Sequence, residues 1–164
     1  MAGPDTSRLS PDDVVASLRS FPRRFRSAMW SPDPDERERK AGTIGPDGRS
    51  PTDWVDHAAR TLALIGGALP QVLADDGATI VPATMDDTAR DWQTPGTGTA
   101  DAALDFLEVE ADHLADQVAK VDATLWAHHA HVAGGNQVTA LDLPREGVRT
   151  TAEALAAVEK GMSR

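Results

Sequence analysis

The sequence predicts an all-α fold, a four-helix bundle whose second and third helices are joined by a long connection. Three observations carry that prediction. In four stretches, apolar residues recur at spacings of three and four, the mark of amphipathic helices with one buried stripe each. The 164 residues are 40% hydrophobic but only 4% aromatic, with no tyrosine. A core of Ala, Leu and Val suits closely packed helices better than a sheet sandwich. Finally, the irregular stretch 75–98 lies between the second and third stripes. One domain over 1–164 is expected, with its core over about 11–162.

The first helix starts at Ser10-Pro11-Asp12-Asp13 and carries Val14, Leu18, Phe21, Phe25 and Ala28 on one face. Pro22 should kink it or split it in two. Residues 31–50, with Pro32, Pro34, Gly42, Gly45, Pro46 and Gly48, read as a loop. The second helix runs from about 51 to 74. Ser50 is its N-cap, Pro51 suits the first turn, and Asp53 completes an acidic variant of the capping box. Its buried stripe is Trp54, Ala58, Thr61, Ile65 and Ala68, and Pro70 bends it near the end.

Segment 75–98 is long enough to suggest a functional loop, a lid over a pocket formed with Ile80, Val81, Met85 and Trp92. The third helix keeps its stripe from Leu104 through Leu107, Ala111, Leu114 and Val118 to Val121. Trp126 to Val138 reads as an extended excursion or hairpin around Gly134-Gly135-Asn136. The fourth helix runs from about 142 to 161, with Val148, Ala152, Leu155, Val158 and Met162 inward. These four helices describe a bundle.

Composition narrows the function. A net charge of −10 argues against nucleic acid as partner, because duplex affinity rests on cations that neutralise phosphates. The arginines at 19, 23, 24, 26, 37 and 39 read as a solvated face. No apolar run reaches the ~20 residues that span a bilayer, and the opening residues have no signal-peptide pattern. Cysteine is absent, so disulfides, zinc–thiolate sites and a thiol nucleophile are excluded, and a cytoplasmic location is expected.

The residue that singles itself out is His57. At 100° per residue it lies about 60° from the apolar centre of its helix, so it points into the protein or a pocket. It is a ligand, a catalytic base or a hydrogen-bonded core histidine. His129 and His131 alternate on one face of the expected hairpin beside His128, and read as a polar surface rather than a two-imidazole metal pair. His113, with Glu110 and Asp116, lies on a solvated face.

Three segments together resemble a known family. They are Arg49-Ser-Pro-Thr-Asp-Trp-Val-Asp-His57-Ala-Ala-Arg-Thr-Leu62, then Trp126 followed by Gly134-Gly-Asn-Gln-Val-Thr-Ala-Leu-Asp-Leu143, and Leu155-Ala-Ala-Val-Glu-Lys-Gly161-Met162. Over residues 14 to 162 the chain resembles the DinB-like superfamily, which includes the mycothiol-dependent maleylpyruvate isomerases and related thiol transferases of actinobacteria. DNA binding is not implied. The resemblance implies a divalent metal held by His57 and two ligands one turn apart on the last helix, activating a thiol such as mycothiol, or water.

The last helix departs from that pattern. Val148-Arg149-Thr150-Thr151-Ala152-Glu153-Ala154-Leu155 contains no histidine. Aligned to the ligand positions are Arg149 and Glu153, or one register over Thr150 and Ala154. Arginine cannot ligate a cation, and His57 with Glu153 makes only a two-point site, so the metal is expected to be lost. Arg149 and Glu153 read either as substrate-orienting groups or as an intrahelical ion pair.

The resulting expectation is a small-molecule enzyme, metal-free, that uses a pocket beside His57 for acid–base chemistry such as cyclisation, rearrangement or elimination. His57, Arg149 and Glu153 are the candidate catalytic residues. Trp54, Thr61, Trp92 and Trp126 are the candidate substrate contacts. The alternatives are a metal- and mycothiol-dependent transferase or isomerase, and a binding protein without chemistry. The partner is a small molecule, and the chain is expected to be a monomer or homodimer.

Overall fold

The computed structural model describes residues 3–164. Of the domain expected over 1–164, Met1 and Ala2 lie outside the described residues. Four long helices form the bundle: α1 (Pro11–Ala28), α3 (Pro51–Ala74), α4 (Ala100–Ala119) and α5 (Asp142–Met162). A short fifth helix, α2 (Pro34–Gly42), precedes α3. Among the described residues, none of these helices is long and apolar enough to cross a membrane.

The helix starts follow their caps. Ser10 and Asp13 form a reciprocal capping box on α1, and Ser50 and Asp53 do the same on α3, each with a proline in the first turn. Pro22 does not split α1. The helix continues through it because Val14, Leu18, Phe21 and Phe25 are all buried in the core on both sides of the proline. Pro70 likewise lies inside α3, which runs on to Ala74.

The stretch 31–50, expected as a loop, contains α2. Asp33 caps it through the amides of Asp35 and Glu36, and Pro34 opens it. Only Ala41 is buried, so α2 has no apolar stripe to reveal it.

Helix α3 packs on α4 and α5, and α1 packs on the same two, so α1 and α3 face each other diagonally. Directions follow from cross-helix contacts. Arg19 meets Asp116 and Arg26 meets Asp105, so α1 and α4 are antiparallel. Gly161 abuts Pro51 and Gly147 abuts Leu62, so α3 and α5 are antiparallel. Gln117 donates to the Gly66 carbonyl and the Gly96 amide to Asp53, so α3 and α4 are parallel.

Parallel neighbours explain the long connection. After the 24 residues of α3, about 36 Å of helix, the chain must return the length of the bundle before α4 can begin. The return segment is not structureless. It opens with β1 (Ala78–Ile80) and continues through two 3-10 turns at Pro82–Thr84 and Asp87–Ala89. The expected hairpin is present as β2 (His129–Val132) and β3 (Gln137–Thr139). Strand β1 joins it in parallel, Ala78 opposite Ala130, giving a small sheet at the far end of the bundle. His129 and His131 are exposed on that sheet.

Candidate functional site

His57 lies two turns into α3 and is 2% exposed. Two elements cover it. From the return segment, Asp87 Oδ1 sits 3.0 Å from Nε2, and the Trp92 indole stacks on the ring at 3.7 Å with 2° between planes. From its own helix, Trp54 meets it edge-on at 6.3 Å. Burial lowers the imidazole pKa from its ordinary 6.5, and this outweighs the upward pull of Asp87. Burial acts to raise the Asp87 carboxyl, but the His57 hydrogen bond and the charges of His57 and Arg90 hold it below its ordinary value. Asp87 is therefore an ionised, acceptor-only partner, so Nε2 carries the imidazole proton and Nδ1 presents a lone pair. Among the described residues Nδ1 has no hydrogen bond.

Arg90 sits next to this pair with its side chain 3% exposed. Each of its five N–H groups finds an acceptor. Nε donates to the Ala83 carbonyl at 2.6 Å, one terminal nitrogen to Asp87 and Thr150, and the other to the Thr84 carbonyl and Glu146, all at 3.0 Å. Glu146 is buried and also receives Arg149 at 2.7 Å, while Arg149 reaches Glu153 at 2.9 Å. Those two carboxylates hold the Arg149 guanidinium pKa above its ordinary value, the Glu146 hydrogen bond most strongly. The result is one continuous polar chain, His57–Asp87–Arg90–Glu146–Arg149–Glu153, reaching from α3 across the return segment to α5.

The donor atoms do not fit a divalent metal. The i, i+4 pair of α5 that meets the His57 cluster is Glu146 and Thr150, not the expected Arg149 and Glu153 or Thr150 and Ala154. Between Glu146, Thr150 and Asp87 lies the guanidinium of Arg90, a covalently attached cation that already uses their oxygens. Among the described residues no group of three or more His, Cys, Asp or Glu is placed to hold a metal ion.

A cavity of about 610 Å³ opens at the same end of the bundle, between α2, the 43–50 turn, the start of α3 and the second half of α5. Trp54 and Glu153 line it, as does Arg49, whose guanidinium lies 4.5 Å from the centroid of Trp92. His57 does not line it. It is joined to the cavity through Trp54 and Trp92 on one side and through the polar chain ending at Glu153 on the other.

Two expected substrate contacts, Thr61 and Trp126, are placed differently, as are two of the expected lid residues. The Thr61 hydroxyl is spent on the His57 carbonyl one turn back, 2.9 Å away, and is buried. Trp126 lies in the 3-10 turn Ala123–Ala127, beside His128, whose Nδ1 meets the Val72 carbonyl. Val72 is 18 residues along α3 from Trp54, about 27 Å, so Trp126 is not part of this site. In the return segment Ile80 is buried and Val81 is 55% exposed, so of the four residues expected to form a lid, Trp92 is the one on His57.

Sequence reasoning missed Asp87, Arg90 and Glu146. Glu146 had a signal, because a carboxylate four residues before Thr150 and three after Leu143 falls on the inner face of α5, the same argument that singled out His57. Asp87 and Arg90 lie in the return segment without periodicity and had none.

No protein-family model matches the chain, and no curated protein sequence matches it. Among solved structures the chain is similar to YfiT from Bacillus subtilis, a probable metal-dependent hydrolase with an unusual four-helix bundle topology. The match has a TM-score of 0.69 and 15% identity, covering 93% of this chain and 87% of that one. The chain shares that four-helix-bundle fold.

Proposed function

We propose that this protein is a small-molecule enzyme on a DinB-like bundle, working without a divalent metal and using His57 for acid–base chemistry. The observation that carries this reading is the dyad. An ionised Asp87 holds Nε2–H, which fixes the tautomer and leaves Nδ1 to accept a proton from a substrate, in the way oriented histidine bases operate. YfiT is named a probable metal-dependent hydrolase; in this chain Arg90 places a fixed positive charge against Asp87 and Glu146. A guanidinium cannot take up a ligand thiol or water, which weighs against the mycothiol-dependent alternative.

The imidazole is 2% exposed with the Trp92 indole over one of its faces, so substrate access to it requires the covering return segment to move. Gly96 and Gly98, both at positive φ, lie just beyond Trp92 in the chain and supply backbone conformations open to little else. The same burial favours a second reading, a binding protein that uses the cavity and keeps His57 as a structural group.

One experiment separates the two. Mixtures of small organic anions are incubated with the purified protein and followed by NMR for consumption. Turnover that falls by roughly 10²–10⁴ in a folded His57→Gln variant supports the enzyme reading. Turnover unchanged in that variant, or binding without consumption, overturns it.

A further inference from the structure

We infer that the cavity at the α2–α3–α5 end is a binding site for a small organic polyanion with an apolar body. Arg39, Lys40, Arg49, Lys160 and Arg164 all face it, on a chain whose net charge is −10. Elsewhere most arginines are matched: Arg19, Arg26, Arg37, Arg60, Arg90, Arg145 and Arg149 each have a carboxylate partner, and among the described residues outside the cavity Arg8, Arg23 and Arg24 do not. In the cavity most basic groups are unmatched. Lys40 pairs with Glu36, but Arg39, Arg49, Lys160 and Arg164 have no carboxylate within 4 Å among the described residues.

The two carboxylates of the cavity leave the cations in excess. Glu153 is held by Arg149 at 2.9 Å, and Asp47 accepts from the Trp54 indole N–H at 2.9 Å and the Arg49 amide at 3.1 Å. Like charges converging in a concave space repel one another and persist where a ligand of opposite sign offsets them.

The floor has a different character. Ala152, Ala156, Ala157 and Gly161 lie on this side of α5 with little or no side chain, which hollows the helix face between α2 and α3. Pro51 and the Trp54 ring complete an apolar surface. A volume of about 610 Å³ is in the range of sites for small organic molecules. Basic groups above an apolar floor select a ligand with two or more negative charges on a hydrocarbon body, either a polycarboxylate or a phosphate ester. The link from this ligand to His57 rests on the enzyme reading; the binding itself does not.

The probe is 1-anilinonaphthalene-8-sulfonate, with N-phenyl-1-naphthylamine as its uncharged counterpart, each titrated by fluorescence. Saturable binding of the sulfonate to the native chain is expected, weakening with salt, and about tenfold weaker in Arg39→Ala/Lys160→Ala. The neutral dye should bind both proteins alike and more weakly. Ala156→Trp, which fills the floor, should block the sulfonate in a protein of unchanged melting temperature. Displacement by citrate or by pyrophosphate then tells a carboxylate ligand from a phosphate one. Equal affinity of the double variant, equal binding of the neutral dye, or displacement by neither anion would overturn the inference. None of these substitutions touches the His57–Asp87–Arg90 cluster, so that outcome leaves the acid–base reading standing.

Discussion

The imidazole of His57 and the indole of Trp92 lie face to face, 3.7 Å apart and within 2° of parallel. One residue comes from the best-specified helix of the chain and the other from its least regular segment. The contact both buries the imidazole and pins the return segment to α3. Trp92→Ala should therefore do two things. Loss of the ring stack should cost on the order of 1 kcal/mol beyond the lost burial. With less burial, the His57 pKa should rise toward its ordinary 6.5. Imidazole proton shifts followed through a pH titration measure the second effect, and an unmoved His57 would show that Asp87 and not Trp92 governs its protonation.

The depressed His57 pKa also sets a direction for stability against pH. In the unfolded chain this imidazole takes a proton near 6.5, while the folded chain resists it to lower pH. Between those values the unfolded state binds the extra proton, so stability is complete above 6.5 and falls as the pH drops through that value. Asp87 acts the same way at lower pH: its contribution is whole above its ordinary 3.8 and is lost as the pH falls through its folded value. Melting temperature should decline from pH 8 to pH 5, and the slope should flatten in His57→Gln.

Residues that act through helix periodicity were legible in the sequence. The bounds of α3, the capping box at Ser50 and Asp53, and the inward placement of His57 all follow from local rules that packing did not override. Helix α2 escaped because apolar spacing was the criterion and Ala41 is its only buried residue, although Asp33 and Pro34 formed a complete helix start. The parallel arrangement of α3 and α4 is a property of topology and not of any local stretch. The placement of Asp87, Arg90 and Trp92 over the α3–α5 groove follows from that arrangement, so the partners of His57 could not be named from its helix alone.

Where α3 and α5 cross at the mouth of the cavity, Gly161 is required by contact. A Cβ there would stand 2.8 Å from Pro51 Cγ, on a rigid ring that cannot swing aside. At Gly147 the nearest atom is Leu62 Cδ2 at 3.0 Å, the far end of a side chain buried in the core. Alanine gains up to about 1 kcal/mol of helix propensity at either position, and overpacking costs about 1–3 kcal/mol. Gly161→Ala should be destabilising, and more so than Gly147→Ala. Chemical denaturation of both variants checks the order, and a stabilised Gly161→Ala would show that the helix ends shift apart freely.

Arg90 should be the most sensitive position in the molecule. Its guanidinium is one of two that balance buried Glu146, and it satisfies two backbone carbonyls and Thr150, so Arg90→Ala leaves Glu146 to Arg149 alone and orphans several acceptors. Breaking a buried pair from one side costs about 3–5 kcal/mol, and the Arg149 contact that remains on Glu146 should hold the loss toward the lower end. Arg90→Lys keeps the charge but not the fork, and should recover only part of that loss. Truncation also removes the cation that uses the oxygens of Asp87 and Glu146, leaving both carboxylates near His57. Zinc should therefore raise the melting temperature of Arg90→Ala and leave the native chain unmoved. A native chain that gains stability from zinc would instead mean that Arg90 yields its place readily, and would return the metal-dependent reading to the front.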